Sequence, residues 1–143
     1  MKIAELTLDN REDAAKLLNE FDLIYNDLNQ VNIQLFKFSD SDETIGFGGL
    51  EIVGSEALLR SVVVKKEFQG KGFGKIISNW IEHRAKEQHI SALYLLTTTA
   101  RDFFEHQGYR VIDRKKFPEP LKQTKQFSGL CPSTAHCMTK TLN

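Results

Sequence analysis

The chain has little that would mark a protein that binds nucleic acid or spans a membrane. Its 143 residues include 19 basic and 19 acidic side chains, so the formal net charge is zero and no overall attraction to nucleic acid or an anionic membrane is expected. No apolar run approaches the roughly 20 residues needed to cross a bilayer. Acidic residues follow Met1 too early for a signal peptide, so we expect a cytoplasmic protein.

Cysteine is also scarce. Cys131 and Cys137 are the only two, and their spacing matches neither a C-x-x-C redox pair nor a zinc knuckle. His136 adjoins Cys137, but neighbouring residues of a strand face opposite sides of the sheet. We therefore expect reduced thiols and no metal site.

Length and pattern favour one domain. A chain of 143 residues with 41% apolar residues suits a single core. Asp9 and Glu12 resemble a capping box before an amphipathic helix, and a weaker helical stretch covers residues 25–30. Strands are predicted at 2–7, 33–38, 44–53, 57–64, 89–96, 109–113 and 135–141, with a long helix at 73–88 and a short one before Gly108. The alternation of strands and helices predicts an α/β domain.

The most informative segment is Gln69-Gly70-Lys71-Gly72-Phe73-Gly74, between a Val-rich strand and the long helix. A strand that breaks into glycines and restarts as a helix turns several backbone N–H groups toward one point, at the positive end of the helix dipole. This arrangement binds phosphate. Lys71 and Lys75 would add positive charge, so the sequence predicts a phosphate-bearing cofactor.

Two familiar phosphate-binding motifs do not fit this segment. The glycines occur as G-x-G-x-G, one residue short of the dinucleotide fingerprint, and the following strand has no acidic residue for a ribose hydroxyl. The Gly-Lys pair lacks the Ser or Thr and the spacing of a Walker loop. An ordinary strand-to-helix turn remains the structural alternative.

The Gln-x-x-Gly-x-Gly pattern resembles the pyrophosphate loop of the GNAT superfamily of N-acetyltransferases. Residues 93–109 are similar to a second family hallmark, a strand and short helix with a "Gly-aromatic" ending, here Gly108-Tyr109. The order of elements is also similar to that of the family. The resemblance implies one acetyltransferase domain over residues 1–143, with a mixed, mostly antiparallel sheet of about seven strands and about four helices.

The resemblance also implies the cofactor and the reaction. Acetyl-coenzyme A would donate its acetyl group to a primary amine of a small molecule. In the family, the strand before the glycine loop separates from its neighbour, and its free backbone groups pair with the pantetheine arm. The cofactor-binding residues implied are Val62, Val63, Val64, Gln69, Gly70, Lys71, Gly72, Phe73, Gly74, Lys75, Phe103 and Phe104.

The catalytic acid and base are less evident. Many GNAT enzymes carry a Tyr four residues before the glycine of the "Gly-aromatic" ending, and Phe104 stands at that position here. The leaving thiolate would then take its proton from water, another hydroxyl or solvent. Glu51, on the strand next to the acetyl-bearing strand, is the candidate general base. The alternative is a solvated Glu on the outer face of a hairpin.

Three segments indicate the acceptor. A guanidinium at Arg60 with hydroxyls around it suits a carboxylate, which favours a free amino acid. A surface cation paired with a neighbour is the alternative for Arg60. The candidate substrate-binding residues are Arg60, Ser61, Thr97, Thr98, Cys131 and Ser133.

A finer resemblance concerns the branch of the family. Gly-Leu-Glu, Leu-Leu-Arg-Ser and Leu-Cys-Pro-Ser-x-x-x-Cys-Met resemble the ArsN-type, arsenic-resistance branch, which is related to the acetyltransferase domain of N-acetylglutamate synthase. It implies an amino acid, or an arsenic- or phosphorus-containing analogue, as acceptor, and it leaves a homodimer open. A non-catalytic coenzyme-A binding module is the alternative function, motivated by Phe104. Acetylation of a protein is a third hypothesis.

Overall fold

The computed structural model describes residues 1–130 and 133–142. Within these ranges seven strands form one sheet, and four α-helices flank it. The strands are β1 (Lys2–Glu5), β2 (Ile33–Asp40), β3 (Glu43–Val53), β4 (Glu56–Val64), β5 (Ala92–Thr97), β6 (Arg110–Ile112) and β7 (His136–Thr141). The helices are α1 (Glu12–Glu20), α2 (Phe73–Glu87), α3 (Arg101–His106) and α4 (Lys125–Gly129).

The sheet is mixed. Its strand order is β1-β2-β3-β4-β5-β7-β6, and every neighbouring pair is antiparallel except β4 and β5, which are parallel. This is the α/β, GNAT-like architecture that the sequence predicts, with the expected numbers of strands and helices.

Each face of the sheet is covered by one main helix. Ile77, Ile81 and Ala85 of α2 are fully buried and pack against the apolar residues of β3, β4, β5 and β7. On the other face, Leu17 and Leu18 of α1 join a cluster with residues of β2, β3 and β4. Burying a side chain of this size stabilises the fold by about 1.5–3 kcal/mol, so these two stripes fix both helices on the sheet.

Local predictions fail at two places near the amino terminus. The residue that precedes α1 is Arg11, with no side-chain cap; its guanidinium instead donates to the carbonyls of Leu28 (2.8 Å) and Leu6 (3.2 Å), so the capping box is wrong. Residues 25–30 form turns and not a helix. Asn and Asp are frequent there, and their side chains compete with helical backbone hydrogen bonds.

The described part of the connection between β6 and β7 contains three short helices. Besides α4, it contains two short 3-10 helices, Arg114–Lys116 and Glu119–Gln123. Phe117 and Leu121 are buried against Leu58 of β4 and Cys137 of β7. This connection therefore covers the end of the sheet face where β4 and β5 are still paired.

Residues 1–130 and 133–142 contain neither a membrane-spanning helix nor a cluster of metal ligands. No helix there is both long enough and apolar enough to cross a membrane. No group of three or more His, Cys, Asp or Glu side chains could hold a metal ion in that part of the chain. Cys137 is a buried free thiol, and burial raises its pKa.

Candidate active site

Strands β4 and β5 lie side by side at only one end. Their described register comprises two pairs, Ala57 with Leu93 and Leu58 with Tyr94. Beyond these pairs β4 runs on to Val64 and β5 to Thr97 without further pairing between them in the described part of the chain. The strands therefore open a cleft whose β4 wall has backbone groups free of a β5 ladder.

A β-bulge lies in the β4 wall of this cleft. Gly49 pairs with Arg60 and Phe47 pairs with Val63, so β4 has one residue more than β3 between these positions. Ser61 lies within the bulge with a φ of +58°, a left-handed conformation that is uncommon for a residue with a Cβ. Such local strain is often found at functional sites.

The bulge reverses the side-chain alternation of β4. Leu59 packs in the cluster beneath α2, whereas Val63, four residues later, packs in the cluster beneath α1. Residues of a regular strand separated by four would share a face. An additional residue between them explains the switch, and it also brings successive valines, Val62 to Val64, into the wall of the cleft.

A cavity of about 550 Å³, here called the loop cavity, lies between the glycine segment, the end of β4 and the start of α3. Gly70 and Gly72 adopt φ values of +78° and +87°, which glycine tolerates readily, and Gly72 immediately precedes α2. Gln69 donates from its side-chain amide to the carbonyl of Val64 (3.0 Å), which ties the segment to β4. The cavity thus meets the amino-terminal end of a 15-residue helix, where backbone N–H groups attract anions.

Most of the predicted cofactor residues meet in the loop cavity. Two of them do not line it. Lys71 is exposed, with its ammonium 5.9 Å from the centre of the Phe68 ring, and Val63 lines only a second cavity, described below. Phe68, Thr99 and Ala100 were not predicted, although they flank the two family motifs. The lining comprises Val62, Val64, Phe68, Gln69, Gly70, Gly72, Phe73, Gly74, Lys75, Thr99, Ala100, Phe103 and Phe104.

A second cavity of about 280 Å³, here called the cleft cavity, occupies the opening between β4 and β5. It shares Val62, Val64, Gln69, Thr99, Ala100 and Phe104 with the loop cavity. A group held in one can therefore meet a group held in the other. Its remaining lining is Phe21, Leu23, Ile24, Leu59, Arg60, Ser61, Val63, Leu95, Leu96, Thr97 and Gln126.

Arg60 is held in a buried cluster with two carboxylates. Its Nη1 and Nη2 donate to the two oxygens of Asp27, each at 2.6 Å, and Nη1 also donates to Glu51 Oε1 at 2.7 Å. Its Nε donates to Ser61 Oγ at 3.1 Å. The three charged side chains are at most 2% exposed.

The protonation behaviour of the cluster follows from this burial. Burial raises the pKa of Glu51, and the hydrogen bond and positive charge of Arg60 only partly oppose it. Burial by itself would lower the pKa of Arg60, but the bonds to Asp27 and Glu51 outweigh it and raise that pKa. Arg60 therefore stays a cation, and burial favours the protonated form of Glu51.

The structure shows the surroundings of two predicted site residues. Arg60 does not offer a free guanidinium to an acceptor, because Asp27 and Glu51 already neutralise it. Glu51 does not line the cleft cavity; it lies behind Arg60 and faces a separate depression beside Asn32 and Thr124. Its register partner is Leu58, at the closed end of the cleft. The role of Glu51 as general base stays a prediction.

The other predicted acceptor residues are placed unevenly. Ser61 and Thr97 line the cleft cavity, and Thr97 Oγ1 also accepts from the N–H of Ala100 at 2.9 Å, where α3 begins. Thr98 and Ser133 do not line it. Thr99 does, and was not predicted in this role. Cys131 lies outside the described residues.

Phe104 lines both cavities at the position where many relatives have Tyr. Its ring contacts Phe103 and Tyr109 edge to face, with ring centres 5.0 and 5.5 Å apart. Tyr109 lines neither cavity, and burial raises its pKa far above the ordinary range. Within the described residues, no tyrosine hydroxyl reaches either cavity.

Comparisons with known proteins find similarity to N-acetyltransferases. Residues 32–111, more than half of the chain, match the family model of the acetyltransferase (GNAT) domain. The chain is 30% identical over 90 residues to an uncharacterised N-acetyltransferase of Chlorobaculum tepidum, and 29% identical over 89 residues to the [ribosomal protein bS18]-alanine N-acetyltransferase of Haemophilus influenzae. These matches cover 60% and 59% of this chain, and 56% and 61% of the relatives' own lengths.

A solved structure shares the fold. N-acetylglutamate synthase of Neisseria gonorrhoeae, complexed with coenzyme A and L-arginine, superposes with a TM-score of 0.79 at 16% identity. The superposition covers 99% of this chain and 33% of that one. The likeness therefore concerns one part of the larger enzyme.

Proposed function

This chain belongs to the GNAT acetyltransferase family, and we propose that it transfers the acetyl group of acetyl-coenzyme A to the primary amine of a small molecule. The observation that carries the proposal is the junction of the two cavities along β4. One cavity offers backbone N–H groups at a helix start, and the other opens between separated strands. A cofactor bound in the first has its reactive end beside an acceptor bound in the second.

The loop cavity would hold the cofactor. Backbone N–H groups of residues 70–74 and the α2 dipole suit its pyrophosphate, with Lys71 and Lys75 adding charge. Its pantetheine arm would pair with backbone groups of β4 at Val62 and Val64, which are free of a β5 ladder. Phe103 and Phe104 supply apolar surface along the same cavity.

The reaction is a direct transfer. The amine nitrogen forms a bond to the thioester carbon, negative charge develops on the carbonyl oxygen, and the bond to sulfur then breaks. A backbone N–H at the β4 bulge can stabilise that oxygen. The shared wall of the two cavities holds the reactants together, which converts an encounter in solution into a reaction between oriented groups.

Protons would move to and from water. An α-ammonium has a pKa of about 8, so part of the acceptor is neutral near pH 7. The leaving thiol has a pKa of about 8.5, so its thiolate departs without a dedicated acid. This assignment suits a site with Phe104 in place of Tyr and with Glu51 turned away from the cleft cavity. Glu51 as general base remains the competing hypothesis.

The finer identity of the acceptor is a separate hypothesis. The sequence resemblance favours an amino acid or its arsenic- or phosphorus-containing analogue, and a similar fold occurs in N-acetylglutamate synthase. Because Arg60 is already paired, a carboxylate would have to rely on the hydroxyls of Ser61, Thr97 and Thr99. Neutral hydroxyls are weaker partners for a carboxylate than a guanidinium is.

The second candidate function is a coenzyme-A binding module without catalysis, which Phe104 motivates. Calorimetry with acetyl-coenzyme A, followed by assays of thiol release with a panel of amines, separates the two functions. Amine-dependent thiol release supports the transferase. Tight binding without release for any amine supports the binding module.

A further inference from the structure

The walls of the cleft cavity carry almost no available charge. Among the described residues that line it, Arg60 is the only charged one, and the others are apolar or have hydroxyl or amide groups. Among the described lining residues, the charge that an acceptor meets in this cavity therefore comes from Arg60 and its partners.

Arg60 and its partners leave no net positive charge. With Asp27 and Glu51 both ionised, the cluster carries one excess negative charge, and with Glu51 protonated it is neutral. In neither state do these three side chains leave a cation for an anionic ligand, and the nearby Arg11 donates to the carbonyls of Leu28 and Leu6 and does not line the cavity. Taking Asp27 or Glu51 away from Arg60 would strand a buried carboxylate, which is strongly unfavourable.

An acceptor carboxylate would therefore lose its water without gaining a counter-charge. A buried charged group without a partner is costly, whereas an amide or alkyl group loses much less. The apolar side chains of Phe21, Leu23, Ile24 and Leu95 offer surface for a branched alkyl body. Ser61, Thr97 and Gln126 can bond a neutral carboxamide.

We propose that the acceptor is a small primary amine whose reacting end carries no carboxylate, with an uncharged carboxamide or alkyl group beside the amine and an apolar body. This inference rests on the proposed function, because it assigns the cleft cavity to the acceptor. It replaces the free amino acid that Arg60 suggests in the sequence. The Arg60 cluster selects acceptors by their charge and does not contact the reacting amine.

Three compounds with the same branched side chain test it: L-leucine, L-leucinamide and 3-methylbutylamine. We expect kcat/KM for leucine, calculated on the concentration of neutral amine, to be at least about a hundredfold below that for the other two, which is the effect of burying an unpaired charge. The comparison of leucine with 3-methylbutylamine is decisive, because an alkylamine holds its proton more tightly than an α-amine does. A preference for it cannot come from a larger neutral fraction.

A variant tests whether the cluster causes the selection. Glu51→Gln keeps the Asp27–Arg60 pair and removes one negative charge, so the preference for 3-methylbutylamine over leucine should fall by about tenfold. Glu43→Gln removes the same charge from an exposed position of the same strand and should leave the preference unchanged. Circular dichroism and a thermal melt establish that both variants are folded.

Binding to the coenzyme-A complex separates this inference from the proposed function. If no amine is acetylated, the transferase proposal fails, but calorimetry on protein saturated with coenzyme A still measures selection by the cavity. We then expect binding of leucinamide and 3-methylbutylamine and none of leucine. Leucine that reacts or binds as well as either analogue overturns the inference, and so does a failure of all three to react or bind.

Discussion

Arg60 and Asp27 share two hydrogen bonds of 2.6 Å, although they lie 33 residues apart in the chain. Arg60 is on β4 next to the bulge, and Asp27 is in the turns that follow α1. The same turns contribute Phe21, Leu23 and Ile24 to the cleft cavity. This pair thus connects the segment after α1, which lines the cleft cavity, to β4, the strand expected to hold the thioester.

The first prediction concerns this pair. Arg60→Ala leaves two buried carboxylates without a counter-charge and should lower the free energy of unfolding by about 3–5 kcal/mol. Arg101→Ala is the control, because the Arg101–Glu105 pair is about half exposed and such i,i+4 pairs contribute roughly 0.3–0.5 kcal/mol. Urea unfolding measures both. Similar losses for the two variants would show that the buried cluster is not structural.

The second prediction concerns pH and Glu51. Burial raises the pKa of Glu51 above its usual value of about 4.5, so the folded protein takes up this proton at higher pH than the unfolded chain does. The stability that this proton contributes is complete below pH 4.5 and is lost as pH rises through the folded-state pKa. Relative to Glu51→Gln, the native protein should therefore become less stable as pH rises above about 4.5. If the native protein instead became more stable relative to Glu51→Gln as pH rose, the sign would be reversed and the burial argument contradicted.

The third prediction concerns the glycine segment. Gly72 has a φ of +87° and open space at its Cβ position, and Gly54, in the hairpin between β3 and β4, has a φ of +65° and the same open space. Alanine at either site should cost a similar 1–2 kcal/mol or so of backbone strain. Only Gly72→Ala should weaken acetyl-coenzyme A binding, by about tenfold or more, because it displaces N–H groups that face the phosphates. If calorimetry gave Gly72→Ala and Gly54→Ala equal affinities for acetyl-coenzyme A, the glycine segment would not be part of the cofactor site.

The fourth prediction concerns the missing tyrosine. Phe104→Tyr places a hydroxyl at the border of the two cavities. If thiolate departs unaided, kcat should rise by less than about tenfold, whereas a general acid that the native enzyme lacks would give 10²–10⁴. Stopped-flow measurement of thiol release decides between these outcomes. A hundredfold gain would show that water is a poor substitute for an acid in this site.

Features set by nearby residues were predictable from the sequence. The glycine segment and the start of α2 were placed correctly because both depend on backbone preferences within about ten residues. The strands were found within a few residues of their ends because apolar or alternating runs between turn residues mark most of them. Gly108 ends α3 with a φ of +96°, as its position predicts.

Features that depend on partners far away in the chain were not predictable from the sequence. Nothing local to Arg60 shows that Asp27 will reach it, so the sequence left open whether its guanidinium faces a substrate or is paired within the protein. Arg11 was overlooked for the same reason, since its partners are carbonyls on either side of α1. The separation of β4 from β5 was expected from the family alone, because three valines in a row fit a regular strand equally well, and the β4 bulge was not predicted.

The most direct test of the proposed function is a single turnover with acetyl-coenzyme A labelled in its acetyl group and leucinamide as acceptor. We predict that the label appears in N-acetyl-leucinamide, with one coenzyme A released for each acetyl transferred. Gly72→Ala at subsaturating cofactor should slow the transfer in proportion to its weaker binding, and Gly54→Ala should not. Label that stays on the cofactor, or appears only as acetate, while the protein is saturated with acetyl-coenzyme A and amine would contradict the account.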